Sequence, residues 1–372
     1  MRATRIYGLN TGRIGLTVRP QPFRKFLQKH QTSNLSTITH WISPDSLSDE
    51  NDIDHFRQQY FAAEKPVVLR SAGFVRHDLP GYQKWFVEQK EKEDGVRLNY
   101  EYLSQFGHAL VPLEMTTTTT TSESSPDGAQ MQFQRLNAPL SMFLNWTQFT
   151  QQHQPPAAAA AENQNQNKTT IYLAQCHISD LPPTLSSDFL PAPRLVTETG
   201  KNDIYATNLW IGSPPTYTPL HKDPNPNLFV QLAGLKRVRL LGPGDGMGVF
   251  MHVRNQIASS NGGGVSIRGE EMMMGVERGV LEDIVWGNHS ETASNKSMVG
   301  YDVLLERGDV LFIPKGWWHS LKGVGKGITA SVCSFSLFFR FDQCYVMLMR
   351  WVGRSIAGLD EVVSKIASNV QY

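Results

Sequence analysis

In the middle of the chain two apolar runs flank Ala233-Gly234: Asn227-Leu-Phe-Val-Gln-Leu-Ala233 on one side and Leu235-Lys-Arg-Val-Arg-Leu-Leu241 on the other. Short apolar runs bounded by a glycine turn signal read as strands, and this pair reads as a hairpin. Within the second run Lys236 shares a face with Val238 and Leu240, while Arg237 and Arg239 take the opposite one. Val310-Leu-Phe-Ile313 is a further short strand, fed by the turn Arg307-Gly308-Asp309 and ended by Pro314-Lys-Gly316. Pro66-Val-Val-Leu69 reads as another. Helical patterns cover Asp52 to Ala62, Pro80 to Glu88 and Pro139 to Phe149, an amino-terminal flank to the strands. Near the end, apolar residues from Tyr345 to Val370 recur every three or four positions, which predicts an amphipathic helix over 343–370.

Polar, biased stretches interrupt this pattern. Residues 116–127 contain a threonine run, and 151–168 contain five alanines followed by an Asn/Gln repeat. Such compositions bury little apolar surface, so both are expected to be solvated loops. A third insertion, 243–300, is expected to be either a lid or a disordered segment.

Composition narrows the class. At 372 residues with 40% hydrophobic content the chain can bury one substantial core, and a net charge of +1 creates no field that would gather nucleic acid or membrane. No run of 18 apolar residues is present to span a bilayer. Three scattered cysteines make neither a disulfide framework nor a zinc site, which favours a reducing, intracellular compartment. Residues 1–44 carry seven Lys and Arg and no acid. The basic segment 1–38 therefore reads as a mitochondrial transit peptide or a disordered basic arm, with mitochondrial localisation favoured over cytoplasmic or nuclear.

Three residues suggest the chemistry. His221 and Asp223 stand two apart on an extended segment, so both side chains reach the same face, and His319 follows the Val310–Ile313 strand. Two histidines and a carboxylate on one face of an octahedron leave three positions for a co-substrate and oxygen, the pattern of non-haem Fe(II) oxygenases. One H-x-[DE] pair is expected by chance in about every chain of this composition. A second indeed occurs at His289 and Glu291, in a polar stretch without strand character. Lys236, on an apolar face, needs an anionic partner unless it extends to the rim, and a dicarboxylate would supply one.

The runs Tyr205–Gly212, Thr218–Asn227, Gly234-Leu-Lys236-Arg237 and Gly308–His319 resemble, in order, the motifs of JmjC-domain (cupin-like) 2-oxoglutarate oxygenases. The likeness covers roughly residues 45–340 and is strongest to the small JmjC hydroxylases, the arginyl hydroxylase type above all. It implies a mainly β fold: a double-stranded β-helix, or cupin/jelly-roll barrel, of about eight strands in two facing sheets with flanking helices. It implies that His221, Asp223 and His319 hold Fe(II), and that Thr218, Lys236 and Tyr172 bind the far carboxylate of 2-oxoglutarate, with Asn227 near the co-substrate. It further implies consumption of O2 and hydroxylation of a protein or peptide side chain, arginine leading; a cationic side chain needs a carboxylate or an aromatic face, and Trp210, Trp317 and Trp318 are the nearest aromatic candidates. Hydroxylation of a modified tRNA base, demethylation of histone N-methyl-lysine and a non-catalytic binding role are the rival expectations. The carboxy-terminal helix is expected either to form a homodimer or to pack on its own barrel. The chain departs from its relatives at Lys222, between the ligands, and at Cys333-Ser334 in the last barrel strand, neither a secure co-substrate contact.

Overall fold

In a computed structural model the described residues are 38–89, 96–120, 129–152, 168–199, 204–261, 275–287 and 298–336. The basic segment 1–38 apart from Ile38, the carboxy-terminal helix expected at 343–370 and most of the 151–168 insertion lie outside them.

The strands are β1 (Ile38–Ile42), β2 (Asp45–Ser46), β3 (Val67–Leu69), β4 (Phe86–Glu88), β5 (Val96–Leu98), β6 (Leu110–Thr120), β7 (Ala129–Pro139) and β8 (Lys168–His177). They continue as β9 (Ile204–Gly212), β10 (Thr216–Lys222), β11 (Asn227–Ala233), β12 (Leu235–Leu241), β13 (Met298–Leu305), β14 (Val310–Ile313), β15 (Trp318–Val324) and β16 (Thr329–Ser336). One sheet has the order β1-β13-β12-β15-β10 and the other β2-β3-β14-β11-β16-β9-β8-β6-β7, with β4 and β5 paired apart. From β9 onward the chain passes back and forth between the two large sheets. Side chains from both, among them Phe229, Leu311 and Cys333 from one and Val238, Val303 and Leu321 from the other, meet in a shared interior. The longer sheet continues past β9 into β8, β6 and β7, whose buried face shares a second core with the helices of the amino-terminal flank.

Several sequence expectations need correction. The architecture is mixed α/β and strand-rich: to the flanking helices the 243–300 segment, expected to be a lid or a disordered insertion, adds helices over 243–261 and 275–286. Val249, Val253, Val280, Leu281 and Val285 from these helices pack with Leu220, Leu241 and Trp318 of the five-stranded sheet. The inserted helices therefore back that sheet on the face opposite the shared interior. The threonines 116–120 are strand, not loop: Thr116 pairs with Phe133 on β7 and Thr170 on β8. β-Branched residues suit a pleated ladder, a preference that a low-complexity reading overlooks. The expected helix from Pro80 stops at Lys84, and Phe86–Glu88 is a strand.

The expected hairpin is not one. β11 belongs to the long sheet and β12 to the other, so the chain crosses between layers at Gly234. Gly234 has φ +61, and a Cβ there would collide with the Ile328 carbonyl oxygen. Glycine alone combines that backbone conformation with that approach. The crossing sets Lys236, one residue into β12, facing the interior.

Candidate metal and co-substrate site

β10 and β15 are antiparallel neighbours, and their register places His221 directly opposite His319. Asp223 follows β10 by one residue and turns back to the same spot. One ligand atom from each of His221, Asp223 and His319 lies within 4.8 Å of the others. The imidazole centroids are 4.2 Å apart, and His319 Nε2 is 3.4 Å from Asp223 Oδ2.

Both rings are oriented from behind. His221 Nδ1 is 2.8 Å from the Pro219 carbonyl oxygen and His319 Nδ1 is 3.2 Å from that of Trp317. A carbonyl can only accept, so each Nδ1 donates and Nε2 is the nitrogen left to face the cluster, the usual support of a metal-bound histidine. Burial, reinforced by the neighbouring His319, pushes the His221 pKa down to about 4, so its imidazole is neutral at physiological pH. For Asp223 burial acts to raise the carboxyl pKa, but contact with His319, the nearness of both imidazoles and a hydrogen bond from Asn227 outweigh it and leave the pKa lowered. Two imidazoles and a carboxylate converging on one point fit a divalent non-haem iron.

Beside the cluster opens a cavity of about 330 Å³. Lys236 enters it at 3% exposure, with Nζ donating to Ser331 Oγ at 2.7 Å and to Tyr172 Oη at 3.4 Å and lying 5.4 Å from the Phe229 ring. Among the described residues no carboxylate forms an ion pair with it. Burial pulls its pKa down to about 8. An ammonium surrounded by hydroxyls and an aromatic face is a receptor for an anion. Thr218 and Asn227 line the same cavity, and the buried Oδ1 atoms of Asn227 and Asn208 have no hydrogen-bond partner within the protein. All seven residues singled out from sequence, His221, Asp223, His319, Thr218, Lys236, Tyr172 and Asn227, thus border one cavity.

The flanking residues sort differently from the sequence expectation. Trp210 lines the cavity, but Trp317 and Trp318 do not. Trp318 alternates with His319 along β15 and packs outward against the inserted helices, with Lys222 Nζ 5.3 Å from its ring. Trp317 donates to the Glu64 carbonyl oxygen and packs against Tyr301. Lys222 points away from the metal cluster, as strand alternation requires. Cys333 borders the cavity, its thiol pKa pushed up to about 12 by burial, while Ser334 does not border it.

Residues the sequence did not disclose complete the walls. Ser331 is the near partner of Lys236. Glu114, 7% exposed on β6, is hydrogen-bonded by Arg135 from β7, and both border the cavity with Gln175. Gln175 sits at φ +53 in the irregularity where β8 slips against β9. Glu114 stands two residues before the threonine run, where nothing local marks it; only the β6–β8 pairing, which sets it beside Tyr172, brings it to the site.

Comparison with known proteins accords with this arrangement. The family model described as "Cupin-like domain" matches residues 53–351. Lysine-specific demethylase 8 of Xenopus tropicalis is 26% identical over 75% of this chain and 50% of its own length. Jumonji C domain-containing protein 5 of Drosophila melanogaster is 24% identical over 76% of this chain and 58% of its own. JmjC domain-containing protein F of Dictyostelium discoideum is 22% identical over 76% and 59% respectively. The chain thus spans between half and three-fifths of the length of these curated relatives. No described helix is long and apolar enough to cross a membrane.

Proposed function

The chain belongs to the cupin-like family of JmjC-domain proteins, and on that footing we propose that it is an Fe(II)- and 2-oxoglutarate-dependent dioxygenase hydroxylating a protein side chain, with arginine the leading residue type. The scaffold of this reading is a double-stranded β-helix built from β9 to β16. The carrying observation is that a two-histidine, one-carboxylate cluster and a buried, acid-free lysine open into a single cavity. Iron and 2-oxoglutarate, when bound, supply oxidative decarboxylation by O2 coupled to oxygen insertion into a C–H bond.

The chain's own contribution is placement. His221, Asp223 and His319 hold the metal through two imidazole Nε2 atoms and a carboxylate. Lys236, with Tyr172 and Thr218 beside it, binds the remote carboxylate of the co-substrate, and Ser331 keeps the ammonium aimed into the cavity. Asn227, hydrogen-bonded to Asp223, steadies the ligand carboxylate and has an unused Oδ1 for the co-substrate or its water. Glu114 and Trp210 offer a carboxylate and an aromatic face on the substrate side, the pair of features that a cationic side chain requires.

The same pair would accept a methylated ammonium, and the name of the Xenopus relative brings lysine demethylation as a second reading. A library of arginine- and methyl-lysine-containing peptides incubated with the protein, Fe(II) and 2-oxoglutarate separates the two. Succinate formation coupled to the gain of one oxygen atom on arginine is the expected result. Loss of a methyl group from lysine would transfer the assignment, and stimulation by tRNA alone would move it out of protein substrates.

A further inference from the structure

Among the described residues, Glu114 and Asp223 are the acidic ones bordering the cavity, and Asp223 belongs to the metal cluster. A cationic substrate side chain is therefore left with Glu114. That carboxylate already has a guanidinium on it: Arg135 donates from Nε at 2.9 Å and from Nη2 at 2.6 Å, both to Oε1. The cross-strand register makes the pairing built-in, since Arg135 on β7 stands opposite Glu114 on β6, and Glu114 in turn stands opposite Tyr172 on β8. Arg135 is the looser partner, with its side chain 38% exposed against 8% for Glu114.

Two features make this pair separable. Arg135 meets a single oxygen and not both, so it forgoes the two-pronged match that gives a guanidinium its strongest grip on a carboxylate. Its other support is the Phe133 ring at 5.9 Å, on its own strand, from which the exposed guanidinium can turn to water.

We propose that Arg135 is an internal competitor for the substrate position. It neutralises Glu114 while no substrate is bound and must swing outward when a substrate guanidinium takes the carboxylate. This inference rests on the cationic-substrate reading above. It makes Arg135 a specificity-determining residue: a neutral side chain cannot displace it, whereas a cation can exchange with it like for like. If the internal pair is closed for roughly nine-tenths of the time, apparent affinity for a cationic substrate is lowered about tenfold.

The test is binding, independent of turnover. The whole chain loaded with Zn(II), which cannot undergo the redox cycle, is titrated with an arginine-centred peptide and with its norleucine counterpart, and binding is read by calorimetry. Arg135→Met should bind the arginine peptide about tenfold more tightly than wild type, Arg135→Lys should fall between them, and the norleucine peptide should bind weakly to all three. Adding Glu114→Gln to Arg135→Met should abolish the gain. Arg135→Met and Arg135→Lys should unfold cooperatively at temperatures near the wild-type value. An arginine peptide that binds wild type yet no tighter, or less tightly, to Arg135→Met overturns the competitor role alone and makes Arg135 a holder of Glu114. A peptide that binds neither form while 2-oxoglutarate still binds overturns the cationic-substrate reading with it.

Discussion

The ammonium of Lys236 rests 2.7 Å from the hydroxyl oxygen of Ser331, inside the cavity, with no acid in ion-pair contact among the described residues. A hydroxyl can accept a hydrogen bond but cannot neutralise a charge, so the ligand-free protein carries a buried cation short of compensation.

Affinity for 2-oxoglutarate should consequently depend on pH through Lys236. Its pKa is pulled by burial from the ordinary lysine value to about 8, so the ammonium required by the co-substrate is present below that pH and is lost above it. Calorimetric titration should give affinity that falls as pH rises through about 8, with proton uptake on binding above it. A flat profile to pH 9.5 would place the anchor on another residue.

The same charge sets the sign of a stability effect. Between about 8 and the ordinary lysine value the unfolded chain binds the proton that the folded chain has released, so ligand-free stability gains from Lys236 as pH rises across that window. At neutral pH the buried charge is a net penalty on the order of 3 kcal/mol. Lys236→Met, close in volume and uncharged, should therefore raise the melting temperature of ligand-free protein at pH 7 while removing the stabilisation that 2-oxoglutarate confers on wild type. A lower melting temperature for the variant would mean that the protein itself already compensates the lysine.

Gly234→Ala tests the inter-sheet crossing. The substitution forces an alanine to φ +61 and drives its Cβ into the Ile328 carbonyl, at a cost on the order of 2–4 kcal/mol. Urea unfolding should show that loss, and 2-oxoglutarate affinity should weaken too, because Lys236 follows the crossing directly. Wild-type stability in the variant would contradict the account of how β12 is aimed.

What could be read from the sequence follows the range of the interactions. His221 and Asp223 were legible because strand alternation is local, and Lys236 because an ionic residue broke an apolar face. Gly234 was visible as a turn but not as a passage between sheets, since a hairpin and a crossover share the same local signal and only the pairing partners, β14 and β16 for β11 and β13 and β15 for β12, tell them apart. Glu114, Arg135 and Ser331 were invisible for the same reason: each reaches the cavity through strand register, which brings distant segments side by side. Trp318 was misplaced because nearness in sequence to His319 says nothing about face, and adjacent strand residues point to opposite sides.

The central claim is that one cavity holds both a metal and an anionic co-substrate, and anaerobic optical titration measures both together. Protein with one equivalent of Fe(II) per chain should develop a visible metal-to-ligand charge-transfer band when 2-oxoglutarate is added. The band should be lost in Asp223→Ala and His319→Ala, which remove ligands, and should require at least about tenfold more 2-oxoglutarate in Lys236→Ala. Absence of the band in wild type, or a band of equal strength and midpoint in all four proteins, would contradict the account.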